Sequence, residues 1–137
     1  MKKFLISLIA LVAVSSTLFA SSYSEAKARA YASSIYLNTK GFNLKGSRGQ
    51  YLSQGGYKTY NSYLYSGNKY AILGAGSNSV KDLDVQIYDS NWNLIISDND
   101  ISNVSVVTFY PPRTGRYYIR TKMYSGRGYF FQMIGWR

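Results

Sequence analysis

Short segments of strand-forming residues, separated by turn-forming residues, follow one another from Tyr57 to Ile134. Gly, Asn, Ser and Pro interrupt the pattern, for example at residues 66–68 and 111–115. Predicted strands cover residues 57–65, 70–75, 83–88, 94–97, 104–110, 117–123 and 129–134, and a further short one lies near Gln50–Leu52. Short strands at such regular spacing are typical of an antiparallel all-β sandwich or barrel.

The core of the predicted sandwich follows from alternation, because successive side chains of a strand point to opposite faces. On residues 83–88, for example, Leu83, Val85 and Ile87 share one face. The complete predicted core is Leu83, Val85, Ile87, Leu94, Ile96, Val106, Phe109, Tyr117, Ile119 and Ile134.

The first twenty residues predict a secretory signal peptide. Lys2 and Lys3 precede the apolar stretch Phe4–Val14, and the small-residue stretch Ser15–Ala20 ends at the expected cleavage point. A membrane anchor is the alternative, but Phe4–Val14 is shorter than the roughly 20 apolar residues that span a bilayer. We therefore expect an exported protein, periplasmic or extracellular.

One segment, Ser22–Leu37, has a helical pattern. Ser22 and Glu25 have the spacing of a capping box, and alanines favour the helix. Ala28, Tyr31, Ala32 and Ile35 recur at the spacing of one apolar helix face. We expect residues 21–48 to form this helix and a glycine-rich connection, and residues 49–137 to form the sandwich against which the helix packs.

Charge and missing residue types limit the function. Sixteen basic residues against six acidic ones give a net charge of +10, which attracts anionic polymers through a field that salt screens. The chain has no cysteine and no histidine. A thiolate nucleophile, an imidazole base and an ordinary zinc site are therefore excluded. We predict that the protein is not an enzyme.

An ordered set of motifs between Leu52 and Ile134 resembles the bacterial pre-peptidase C-terminal domain. The motifs are Leu52-Ser-Gln-Gly-Gly56, Tyr65-Ser-Gly67, Asp82-Leu-Asp84, Tyr88-Asp-Ser-Asn91, Ser97-Asp98, Thr108-Phe109 and Thr114-Gly115-Arg-Tyr117-Tyr-Ile119-Arg. The resemblance implies a jelly-roll-like sandwich with a non-catalytic, accessory role, and some relatives bind calcium. Trp92 departs from the family, which usually has a turn glycine at this position.

Four aspartates form a candidate calcium site. Asp82 and Asp84 share one face of a predicted strand, about 6.6 Å apart at the backbone, and Asp98 and Asp100 follow the partnering strand. Carboxylate oxygens are the ligands that calcium prefers. Aspartates in turns also cap backbone amides, so turn capping is the alternative.

Aromatic and basic residues form a candidate ligand surface. Tyr57, Tyr63 and Tyr65 share one strand face and Tyr60 lies on the other. The candidate ligand-binding residues are Trp92, Tyr60, Arg113, Arg116, Arg120, Lys122 and Arg127. We predict a binding module for an anionic polymer or glycan, or for an envelope or extracellular protein, while export argues against nucleic acid. The alternative is a structural envelope protein, stabilised by calcium, whose copies associate through sheet edges.

Overall fold

The computed structural model describes residues 23–137. The predicted signal peptide lies outside the described residues, as does Ser22 of the predicted capping box. Within the described part of the chain, no helix has the length and apolar character needed to cross a membrane.

The protein is an antiparallel β-sandwich with a helix on one side, which confirms the predicted fold class. Helix α1 is described over residues 23–39. The strands are β1 (Asn43–Leu52), β2 (Tyr57–Leu64), β3 (Tyr70–Gly76), β4 (Val80–Tyr88), β5 (Leu94–Ser97), β6 (Val104–Phe109), β7 (Gly115–Gly126) and β8 (Gly128–Trp136). Sheet 1 has the order β1-β8-β3-β6 and sheet 2 the order β2-β7-β4-β5.

The core between the two sheets contains most of the predicted residues. Those that are buried are Leu83, Val85, Ile87, Phe109, Tyr117 and Ile119, and Ile96 and Ile134 are partly buried against them. Leu94 and Val106 are exposed, so these two predictions were wrong. The register of β4 with β5 shifts next to Leu94, and Val106 pairs with Leu73 on the outer side of sheet 1, at the edge strand β6.

Helix α1 packs against the sandwich, as predicted; it lies on the outer side of sheet 1 and packs through a different face from the predicted one. Its buried residues Ala26, Ala30 and Leu37 contact a cluster that includes Leu73 and Phe131. The sheet supplies the large side chains here, so alanines allow the close approach. The face predicted from spacing (Ala28, Tyr31, Ala32 and Ile35) is exposed, and that prediction was wrong.

Strand β1 is longer than predicted. It begins at Asn43, ahead of the expected sandwich boundary at residue 49, and has a bulge between Gly46 and Arg48. A Cβ atom at Gly46 would overlap the ring of Phe131, and one at Gly49 would collide with the carbonyl of Phe130. These glycines therefore permit close packing within a strand and do not mark a loop.

Candidate binding face

The outer side of sheet 2 is not covered by the helix, which lies on sheet 1. On β7, the residues between the buried Tyr117, Ile119 and Thr121 point outward. The strand register places Tyr118 beside Tyr88, and Arg120 beside Thr59. We call the outward-facing residues Tyr57, Tyr88, Trp92, Tyr118, Arg120 and Lys122 the aromatic–basic face.

Trp92 lies in the tight turn that joins β4 to β5. The Asp89 carboxylate accepts hydrogen bonds from the backbone amides of Asn91 and Asn93, at 2.9 Å each. These bonds, that from Asn93 above all, lower the pKa of Asp89. Trp92 has φ 64° and is the only non-glycine residue with positive φ in residues 23–137. The position where the family usually has glycine therefore does require a left-handed backbone.

The Trp92 indole is held flat against sheet 2. Its ring stacks on that of Tyr118, with centroids 3.9 Å apart and an angle of 5° between the planes, and the Tyr88 ring lies 5.9 Å away. The side chain is nevertheless 50% exposed. With one side covered by Tyr118, the indole presents its other side to solvent as a flat aromatic surface.

Arg120 lies among three of the aromatic rings on this face. Its guanidinium carbon is 4.3 Å from the ring centroid of Tyr57, 5.1 Å from that of Tyr88 and 5.9 Å from that of Trp92. Its Nε donates to the Thr59 hydroxyl at 3.3 Å. None of these partners within the described residues is a carboxylate. The cation is thus oriented by rings while its terminal N–H groups stay available for an anion.

The other predicted basic residues divide by position. Lys122 lies on the aromatic–basic face, 4.3 Å from the ring of Tyr124, and Arg116 points outward on the same strand. Arg113 lies in the loop before β7, where its carbonyl accepts a 2.6 Å bond from the Tyr117 hydroxyl. Arg127 lies at the opposite end of β7, between β7 and β8. The structure thus brings Trp92, Arg116, Arg120 and Lys122 onto one face.

Tyr60 is separated from this face. It points to the inner side of sheet 2, where it packs on the core and lies 4.2 Å from the Arg48 guanidinium. Burial raises the pKa of its hydroxyl. Tyr60 and Trp92 are therefore on opposite sides of sheet 2, and a role for Tyr60 in binding stays a prediction.

The four aspartates do not form one cluster. Asp84 is only 6% exposed, and the Oδ1 atoms of Asp82 and Asp84 are buried without a hydrogen-bond partner. Burial, with the charges of Asp82 and Asp98, raises the pKa of Asp84 to about 6. Asp98 caps the backbone amide of Asp100 at 3.0 Å. In residues 23–137 no group of three or more acidic side chains is arranged to hold a metal ion. Asp82 and Asp84 therefore each have one carboxylate oxygen without a partner, Asp98 caps a turn, and a calcium site stays a prediction.

Comparison with known proteins finds a family to which part of the chain is similar. Residues 56–121 match the family model of the bacterial pre-peptidase C-terminal domain. Over these residues the chain is similar to that domain. The resemblance found in the sequence is thereby confirmed, and the matched residues include Trp92, Tyr118 and Arg120. A comparison with curated proteins finds no match.

Two solved structures share the fold of this domain. One is the periplasmic inhibitor of g-type lysozyme PliG from Aeromonas hydrophila, with 13% identity, a TM-score of 0.53, and coverage of 72% of this chain and 90% of the other. The second is the pre-peptidase C-terminal domain of a Bacillus anthracis collagenase, with 15% identity, a TM-score of 0.51, and coverage of 68% and 88%. At these identities the likeness establishes the sandwich fold alone.

Sequence reasoning missed Tyr88 and Tyr118, and it grouped Tyr57 with Tyr63 and Tyr65 instead of with Arg120. Tyr118 was detectable, because it alternates with Arg116 and Arg120 on one strand. Tyr57 and Tyr88 come from the neighbouring strands β2 and β4. Their approach to Arg120 depends on strand register, and no local pattern in the sequence reports it.

Proposed function

We propose that the protein is an exported, non-catalytic binding module that attaches to an anionic polymer, in particular an acidic glycan, through the aromatic–basic face. The observation that carries the proposal is the Arg120 guanidinium, held among three rings with no carboxylate among its described partners and beside the half-exposed indole of Trp92.

The chemistry of the face matches such a ligand in two ways. A sugar ring has an apolar side that would lie against the free side of the Trp92 indole, and burying that contact is favourable. A carboxylate, sulfate or phosphate on the same polymer would accept bonds from Arg120, with Lys122 on the same strand as a second cation. The net charge of +10 would draw a polyanion to the protein over a longer range.

Two of the four edge strands, β1 and β2, argue against the alternative of assembly through strand pairing. On β1 the bulge interrupts the edge and Arg48 points inward, toward Gln132. On β2 Lys58 shares the inner face with the buried Thr121. Bulges and inward-pointing charges are features that discourage the addition of further strands.

Salt dependence tests the proposed function. We expect the protein to be retained on an immobilised polyuronate or sulfated glycan at about 50 mM salt and released at about 500 mM, because the attraction is screened. The double variant Arg120→Gln/Lys122→Gln should bind at least about fivefold more weakly.

The matched control is Lys27→Gln/Lys40→Gln, which removes the same charge from the exposed side of helix α1 and its end. If both double variants weakened binding equally, the interaction would depend on net charge alone and not on the aromatic–basic face. Retention of nothing anionic by the wild type at low salt would contradict the proposal. Since the Aeromonas neighbour is an inhibitor of lysozyme, capture of an envelope protein in place of a glycan is a further outcome that would overturn it.

Calcium binding is a second, narrower proposal, supported by the two buried carboxylate oxygens that lack partners. If Asp82 and Asp84 hold calcium, saturating calcium should raise the melting temperature, since a ligand that binds only the folded state stabilises it, by about 2.7 kcal/mol at a hundredfold excess over Kd. Differential scanning fluorimetry in calcium and in chelator measures this. The proposal would be contradicted if the melting temperature were the same in calcium and in chelator, or if calcium raised the melting temperature of Asp84→Asn as much as that of the wild type.

A further inference from the structure

A second concave site lies at the open side of the sandwich where β2 ends near β8, and it shares no residue with the aromatic–basic face. It is a groove of about 520 Å³. Its walls include Tyr63, Tyr65 and Trp136, each more than half exposed, and Leu64, Tyr70 and Ile134 also line it. A volume of this size lies within the range of small-molecule sites.

The walls of the groove are held in place before any ligand binds. The Tyr70 hydroxyl accepts bonds from the Tyr65 amide at 2.9 Å and from the Asn68 side chain at 3.3 Å. The backbones of Lys69 and Arg137 exchange two hydrogen bonds, at 3.0 and 3.1 Å, directly after Trp136. An exposed tryptophan on a fixed backbone loses little freedom when it binds a ligand.

The groove has the chemistry of a site for an uncharged ligand. None of its lining residues carries a charge, and its polar groups are hydroxyls and amides such as those of Ser62 and Asn68. The rings of Tyr63 and Tyr65 meet edge to face, 5.3 Å apart and at 70°. Two rings in this arrangement form a corner, which accommodates one flat ring against one wall. Proline-rich peptides also dock in aromatic-lined grooves, so such a peptide is the competing ligand in the test below.

We propose that this groove binds one neutral pyranose unit of a saccharide. The apolar side of the sugar would lie on an aromatic wall, and its hydroxyls would meet the Asn68 amide, the Ser62 hydroxyl and the phenol groups at the rim. Ser62 already accepts a bond from Arg48 at 3.2 Å and Asn68 donates one to Tyr70 at 3.3 Å, so both groups are held in position and keep further hydrogen-bonding capacity for sugar hydroxyls. The inference does not depend on the proposed function, because the groove and the aromatic–basic face share no residue.

The two tryptophans of the chain allow the sites to be observed separately, since one lies at each. In Trp92→Phe the only indole is Trp136. Titration with neutral oligosaccharides (cellohexaose, xylohexaose and N-acetylchitohexaose) should change its fluorescence, and the apparent Kd should be the same at low and high salt. Tyr65→Ala in that background should weaken binding about 3- to 10-fold.

The reciprocal variant is the control. In Trp136→Phe the remaining Trp92 should not respond to the neutral oligosaccharides, and circular dichroism should show each variant folded. The proposal is overturned if Trp136 fluorescence does not respond to any of the three up to their solubility, if Tyr65→Ala and Tyr63→Ala both respond like the parent, or if only a proline-rich peptide or a polyanion produces the change.

Discussion

Replacing Trp92 by glycine is expected to remove most of the polymer binding while leaving the fold intact. Trp92 has φ 64°, a left-handed conformation that costs a non-glycine residue about 1–2 kcal/mol and that glycine adopts freely. This gain offsets the loss of the stacked Tyr118 contact, which contributes about 0.5–1.5 kcal/mol. The binding surface itself is lost. Stacking of a nucleic-acid base on an aromatic side chain contributes about 1–3 kcal/mol, and a contact of similar size with the polymer would make the affinity fall about 5- to 150-fold.

Two further variants separate the ring from the backbone. Trp92→Ala loses the ring but keeps the left-handed strain, so it should bind as weakly as Trp92→Gly and melt at a lower temperature. Trp92→Phe keeps an aromatic surface and should retain part of the affinity. Affinity can be measured by titration calorimetry with a soluble acidic oligosaccharide. Wild-type affinity in Trp92→Gly would show that the indole has no part in binding.

Replacing Asp84 by asparagine is expected to stabilise the protein at neutral pH and to remove part of its pH dependence. The pKa of Asp84 is raised to about 6, chiefly by burial, from an ordinary value of 3.8. The folded state therefore binds a proton more tightly than the unfolded state does. This contribution to stability is complete below about pH 3.8 and is lost as pH rises through about 6. It amounts to about 2–3 kcal/mol.

Asparagine carries no charge at any pH, and its amide would donate to the buried Oδ1 of the adjacent Asp82. Urea unfolding in chelator at pH 4, 5, 6 and 7 measures the effect, which should grow with pH. Asp100→Asn changes the net charge equally at an exposed position and is the control. Asp89→Asn should have the opposite effect, because the folded state lowers the pKa of Asp89. The ionised carboxylate therefore stabilises the folded protein above the unfolded pKa, and this stabilisation is lost on acidification. If Asp84→Asn changed the free energy of unfolding by the same amount at all four pH values, titration of Asp84 would not be the cause.

The strands were predictable because turn residues and alternation are local signals. Residues 94–97 were placed correctly as a strand, and most inward-facing residues of β4 and β7 were identified. The failures have a common physical cause. Gly46 and Gly49 read as loop residues, although the rings and backbone of β8 above them are what require glycine. The helix face was assigned by hydrophobicity, whereas the sheet selected Ala26 and Ala30 for their small size.

The candidate face was predictable to a similar extent. The alternation of Arg120 and Lys122 placed them together, and the missing turn glycine drew attention to Trp92. Tyr60 was included because it alternates away from the other tyrosines, but that side of β2 is the inner one. Which side of a strand faces the core depends on how the sheets pack, and the sequence does not report it.

The helix covers only sheet 1, so the two broad surfaces of the molecule differ in what they can contact. One sheet-to-sheet spacing and one helix-to-sheet spacing separate helix α1 from sheet 2, a distance of about 20 Å between their mid-planes. A molecule lying with the aromatic–basic face on a polymer would hold the helix on its distal surface, with Tyr31, Ile35 and Tyr36 directed away from the polymer. Molecules adsorbed side by side would thus coat the polymer with a layer whose outermost groups are helical, giving that polymer a surface chemistry different from its own.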